Sequence, residues 1–386
     1  MERKTTALIF LIFSLSTALN AQIIRPNISA RVDTTKIEVK KIYHLYTNYL
    51  NSRPDSSYKN PNWNKKEYAY YLNKKNLPID RSVNAMYYNH DAFKSFMKYY
   101  TPTVLQIDSI GINLYQIKTI YKANSSEADS SGSSVSYITN IYARRDENGD
   151  FKLENTISER TKNWKKIKYK FITYIINPQC KFDKNEAKSA VEFCEKIAKK
   201  FDLKILPFKY YILPNSDEFG KLLNFEYWTY YFGAQTNLPL REIFTSYGNE
   251  NYPHELVHMI FPLRGLGEST PNIISEGLAT WLGGPKNDIT FENALKEVSK
   301  TLKNYPKPTF QDIKSYKIRN QFDNNIFYVS GAVLCKMVYE KKGKDGIFEV
   351  YNSTEKTLNS KLEAIFKQPI NQIQENVINY LLKQNE

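Results

Sequence analysis

The spacing of apolar and polar residues changes several times along the chain. Across 35–75, a Lys-, Tyr- and Asn-rich stretch carries Val39, Ile42, Tyr43, Tyr46 and Leu50 at helical intervals, which predicts helix. From Val104 the period shortens. Residues 104–110, 114–121, 135–144 and 151–157 alternate or run continuously apolar, as strands do. Polar turns separate them: a Ser-rich stretch at 125–134, and Glu147-Asn148-Gly149-Asp150, a hairpin signal. A boundary is expected near 159–168, where charged residues surround Trp164. Beyond it, 169–176 predicts a strand ended by Pro178. Residues 184–201 predict an amphipathic helix presenting Ala187, Val191, Cys194, Ile197 and Ala198. Residues 208–213, closed by Pro214-Asn215, and 240–247 predict further extended segments.

Helices followed by a strongly antiparallel sheet describe an α+β domain. In element order, and in the hairpin IYARRDENGDFKLENT, it resembles the nuclear-transport-factor-2-like cone fold. That resemblance implies an accessory domain, either a spacer or a docking cup for substrate or cell envelope. With 386 residues, 41% of them hydrophobic, the chain can bury two moderate cores, and two domains are expected, 22–165 and 166–386. The first 21 residues read as a signal peptide: Arg3 and Lys4, an apolar run from Ala7 to Leu15, then small residues before cleavage after Ala18 or Ala21. Ser14, Ser16, Thr17 and Asn20 interrupt that run too early for a membrane span. An exported protein, periplasmic or secreted and with no transmembrane segment in its mature form, is therefore expected.

Losing Glu2, Arg3 and Lys4 takes the formal net charge from +14 to +13. The lysines are spread along the whole chain, and no recognition helix or stacking sheet accompanies them, so a specific nucleic-acid partner is not expected. Three cysteines occur: Cys180 and Cys194 are the nearest pair for a disulfide, and three separate buried thiols are the alternative. No Cys-x-x-Cys pair exists, which leaves histidine and carboxylate as metal ligands.

The chemistry concentrates in His254-Glu255-Leu256-Val257-His258, between Pro253, suited to a first helical turn, and Pro262, expected to end the helix. Four residues span slightly more than one turn, so both imidazoles project from one face toward a common cation. Glu255 between them cannot easily be the third ligand, but it can take a proton from metal-bound water. Two of the chain's four histidines occupy this motif. A metzincin would need Gly at Phe261 and His at Arg264, and no histidine follows His258, so a distal carboxylate must complete the set. Glu276 is preferred over Glu268, because Glu276 lies on a second helix whereas Glu268 lies in a Gly-rich loop. Thr270 is expected to cap that helix with Pro271 in its first turn, and Gly283-Gly284-Pro285 to stop it, with Gly277 and Ala279 letting the two ligand-bearing helices approach closely.

HELVH, then seventeen residues, then EGLATWL resembles the gluzincin peptidases, especially the aminopeptidase-N-like and peptidase-MA-like branches. Over roughly 169–351 the resemblance implies a thermolysin-like zincin domain, a small α/β lobe and a helical lobe, with Zn2+ on His254, His258 and Glu276. It implies that Tyr328, in Phe327-Tyr328-Val329-Ser330-Gly331, hydrogen-bonds the oxyanion; such a donor lowers the barrier by about 3 kcal/mol. Where aminopeptidases of this branch carry Gly-x-Met-Glu-Asn to hold a free amino terminus, this chain has Gly233-Ala234-Gln235-Thr236-Asn237, with Thr236 at the acid's place. A peptide or protein substrate and endopeptidase or specialised action are expected, with backbone around 240–246 pairing with it. Two rival readings stand beside this one: a non-catalytic envelope-binding protein with a structural metal clamp, and a zinc hydrolase of non-peptide bonds.

Overall fold

Strand alternation and helical spacing resolve, in a computed structural model, into a mixed α+β chain of two units. The structure describes residues 23–72, 77–86, 92–123, 135–229, 233–261, 270–286, 288–318 and 325–383. The expected leader, the whole 125–134 turn, Pro262 and Glu268 fall outside them. One unit comprises Met1–Ile157 with Leu223–Thr229, the other Ser158–Leu222 with Tyr230–Glu386. The chain thus divides at 157/158, ahead of the expected 165/166, and a later segment returns to the first unit.

The first unit begins with β1 (Asn27–Ile28) and α1 (Ile37–Leu50). The short helices α2 (Tyr68–Tyr71), α3 (Arg81–Met86) and α4 (Ala92–Tyr99) follow. Next come β2 (Tyr100–Gly111), β3 (Leu114–Ala123), β4 (Val135–Arg145) and β5 (Phe151–Glu154). Helix α1 buries Val39, Ile42, Tyr46, Tyr49 and Leu50, one stripe at helical spacing, and ends at Leu50 rather than continuing to 75. The sheet order is β1-β2-β3-β4-β5, parallel only between β1 and β2. The β4–β5 turn is fixed by Asp146, whose carboxylate accepts from the backbone N–H of Asn148 at 2.9 Å and Asp150 at 3.0 Å, while Gly149 takes φ +82°. Strand β5 stops at Glu154, and Ile157, expected in the strand, opens the helical turn α5 (Ile157–Arg160).

In the second unit β6 (Lys165–Tyr169) and β7 (Ile172–Ile176) form a hairpin. Lys170 adopts φ +50° between them, so the single strand expected at 169–176 is two. Then follow α6 (Lys184–Phe201), β8 (Phe208–Ile212) and α7 (Ser216–Leu222). The segment that returns to the first unit carries β9 (Phe225–Trp228), paired with β4. Buried Asn224 anchors it, accepting from the Thr156 N–H at 3.0 Å and donating to Asn155 Oδ1 at 2.7 Å. The second unit resumes with β10 (Ala234–Asn237) and β11 (Glu242–Thr245). Helices α8 (Pro253–Ile260), α9 (Asn272–Gly283), α10 (Phe291–Leu302), α11 (Phe310–Lys314), α12 (Asn325–Tyr351), α13 (Leu358–Phe366) and α14 (Ile370–Leu382) complete it.

Its sheet order is β10-β11-β8-β7-β6, with β7, β8 and β11 mutually parallel and both outer pairs antiparallel. The crossover from β7 to β8 is α6, whose N-terminus is capped by Asp183 accepting from Asn185 N–H at 2.7 Å. Its face from Ala187 to Phe201 joins Leu256, Val257 and Met259 of α8 and Ile274 and Leu278 of α9 in one apolar core. All three cysteines are free thiols, Cys194 and Cys335 buried and Cys180 half-buried, so the Cys180–Cys194 bridge is absent. Among the described residues no helix is long and apolar enough to cross a membrane.

Candidate metal centre

Two helices deliver the donors. Pro253 opens α8 in its first turn, and the one-turn spacing sets the His254 and His258 rings 4.9 Å apart, with their Nε2 atoms 3.2 Å from each other. From α9, Glu276 Oε2 stands 3.1 Å from His254 Nε2 and 3.6 Å from His258 Nε2. A tetrahedral ion about 2.0–2.1 Å from each donor holds its donors about 3.3 Å apart. The three separations fit that triangle. Among the described residues this is the one His/Cys/Asp/Glu group whose geometry could hold a metal ion, and it offers three protein ligands.

The surroundings orient these donors. His254 Nδ1 lies 2.8 Å from the carbonyl oxygen of Gly284, which can only accept, so Nδ1 carries the proton and Nε2 presents its lone pair to the cluster. His258 Nδ1 lies 3.4 Å from Ser275 Oγ. Burial pushes the Glu276 carboxyl up, yet the His258 charge and the polar contacts with both imidazoles outweigh it and hold the group well below the usual carboxylate range. For His258, burial acts downward, and the Glu276 charge and hydrogen bond overcome it to raise the imidazole. The two directions are the two sides of one interaction between the Glu276 carboxylate and the His258 imidazole.

The helix contacts differ from expectation. Pro271 is the N-cap residue of α9, not its first-turn residue, and the Thr270 hydroxyl donates to Tyr351 O at 2.9 Å instead of capping the helix. The close approach of α8 and α9 occurs at Gly283, where an added Cβ would stand 2.6 Å from the Pro253 carbonyl carbon. Gly277 faces α12 instead, against Gly331. Gly284 ends α9 at φ +85°.

Glu255 is buried, and its Oε2 accepts a 2.6 Å hydrogen bond from the hydroxyl of Thr236 on β10. The Tyr328 ring on α12 stacks on His254, with centroids 5.7 Å apart. His254, Glu255, His258, Glu276 and Tyr328 all line one cavity of about 670 Å³, whose wall also includes Gly233, Ala234, Thr236, Leu238, Tyr247 and Tyr252. A cavity of that size accommodates a small ligand or a stretch of peptide. The strand bordering it is β10, at the sheet's end. The 240–246 backbone, expected to pair with substrate, supplies β11, which is enclosed between β10 and β8 and buried along Glu242–Thr245, so it cannot accept an added strand. In the sequence Thr236 reads only as a missing acid, and Gly284 only as a helix stop. A hydroxyl reaching across from another element and a carbonyl acceptor leave no mark in residue spacing. No family model matches the chain, and a search of curated proteins returns no match.

Proposed function

We propose that the second unit is a zinc-dependent peptidase domain of the gluzincin type, thermolysin-like in arrangement and acting as an endopeptidase or specialised peptidase on peptide or protein substrates. The observation that carries this reading is the triangle of His254 Nε2, His258 Nε2 and Glu276 Oε2, with edges of 3.1 to 3.6 Å, on the wall of a cavity shared with Glu255 and Tyr328. When bound there, zinc supplies Lewis acidity, which polarises a carbonyl and lowers the pKa of water from 15.7 to about 7.

The chain's own groups perform the remaining steps. Glu255 takes the proton of the attacking water and passes it to the leaving amine. The Tyr328 phenol, held by its stack on His254, donates to the developing oxyanion. The Ser246 N–H donates to Gly233 O at 2.7 Å, so the antiparallel alternation turns the backbone groups of Ala234 and Thr236 toward the open side of β10. An extended peptide adds there as a further strand. The described cavity wall contributes two carboxylates, Glu255 and Glu276, both already engaged, which supports endopeptidase over aminopeptidase action. Among the described residues three ligands converge in place of four, which supports a catalytic over a structural ion.

The test is digestion of a peptide library with both termini blocked, alongside metal analysis, comparing the parent with Glu255→Gln. Both proteins should bind one zinc per chain, and the variant should lose at least about 100-fold in rate. Equal cleavage by the two, or a zinc-loaded parent that cleaves no peptide, would overturn the proposal.

A further inference from the structure

We infer that Thr236 is a positioning residue for the general base, its hydroxyl fixing the Glu255 carboxylate in the orientation that proton transfer needs. The inference rests on the peptidase reading above and assigns a role to a residue outside the motif.

Strand β10 supplies the geometry. Its residues alternate in direction, so Ala234 and Thr236 share a face, and Ala234 packs against the apolar core that includes Leu256 and Val257 of α8. Register holds Thr236 in place: it pairs with fully buried Ile243 of β11, and β11 pairs in turn with β8. From that fixed backbone, Thr236 Oγ1 reaches Glu255 Oε2 at 2.6 Å and lies 3.1 Å from the Glu255 carbonyl oxygen. A hydroxyl has one proton, and the shorter, charge-assisted contact takes it.

The consequence is geometric. A glutamate has three rotatable side-chain bonds, and nothing in a helix alone dictates which way its carboxylate faces. One oxygen is occupied by a β-branched side chain on a sheet strand, where χ1 is stiff. Oε1 is left to exchange protons with substrate groups. Thr236 also lies on the strand that borders the cavity, so the element that would bind an extended peptide also sets the base. A shift of about 1 Å in a catalytic group costs about 100-fold in rate.

The experiment compares the full-length parent with Thr236→Val, Thr236→Ser and Glu255→Gln, each zinc-loaded, on one blocked peptide. Zinc affinity is measured separately on each metal-free protein by chelator competition. Valine keeps the shape and strand preference and removes only the hydroxyl. Thr236→Val should lose about 10- to 100-fold in kcat with KM and zinc affinity unchanged, and Thr236→Ser should recover most of that loss. In a Glu255→Gln background, Thr236→Val should cause no further loss. A parent-like kcat in Thr236→Val, with Glu255→Gln silent, overturns this inference alone. So does a loss of zinc affinity in Thr236→Val, or an equal loss of kcat in the serine variant, since either marks a merely structural role. Parent-like turnover in Glu255→Gln overturns the peptidase reading and this inference together.

Discussion

Gly277 of α9 and Gly331 of α12 meet backbone to backbone: a Cβ built on Gly277 would stand 2.3 Å from the Gly331 carbonyl carbon, and one on Gly331 would stand 2.2 Å from the Ile273 carbonyl oxygen. Glu276 directly precedes the first glycine, and Tyr328 lies one helical turn before the second. The crossing therefore sets both the carboxylate donor and the phenol on one cavity wall. Gly277→Ala should force the helices apart, destabilising the protein by about 2–3 kcal/mol and weakening zinc binding. Denaturant unfolding and zinc titration check both effects. A variant as stable as the parent would show that the crossing yields easily.

Gly284 performs two tasks that no other residue type combines there. Its carbonyl fixes the His254 tautomer, and at φ +85° an added Cβ would lie 2.0 Å from the Ile289 carbonyl oxygen. Gly284→Ala should displace that acceptor and lower metal affinity about 10- to 100-fold. Competition with a chromophoric chelator measures it.

Glu67, far from the cluster in sequence, should make the first unit's stability depend on pH. Burial raises its carboxyl from 4.5 to about 7, although Trp63 and Asn155 donate hydrogen bonds to it at 2.5 to 3.2 Å. The folded state then holds this proton more tightly than the unfolded chain does. The resulting destabilisation is absent below pH 4.5, builds as pH rises, and is complete above about 7. Glu67→Gln should therefore gain stability over the parent at pH 8 by roughly 2–3 kcal/mol relative to pH 5. Denaturant melts at the two pH values check this, and a pH-independent difference would refute it.

The ligand pair was legible because a one-turn spacing is a property of one helix. The second helix with Glu276 was legible because Gly283-Gly284 stops it. The strands 104–110, 114–121 and 135–144 were legible from alternation, and the 184–201 helix from its apolar stripe. What escaped depends on contacts between distant segments. Strand β10, Ala234-Gln235-Thr236-Asn237, carries no β-branched or aromatic alternation beyond Thr236, so the more apolar 240–246 segment reads as the substrate strand. Apolarity there reflects enclosure between two strands, which is the property that removes it from an edge. The return of Leu223–Thr229 to the first unit likewise rests on the buried Asn224 side chain, whose partners Asn155, Thr156 and Asp80 lie 68 to 144 residues away.

The most direct test is anomalous diffraction at the zinc edge from crystals of the full-length protein grown with one equivalent of zinc. One peak is expected, bonded to His254 Nε2, His258 Nε2 and a Glu276 carboxylate oxygen at about 2.0–2.2 Å, with its remaining position open to the cavity. A strong peak elsewhere with none at the two histidines, or a Glu276 side chain turned away from a histidine-bound ion, would contradict the assignment.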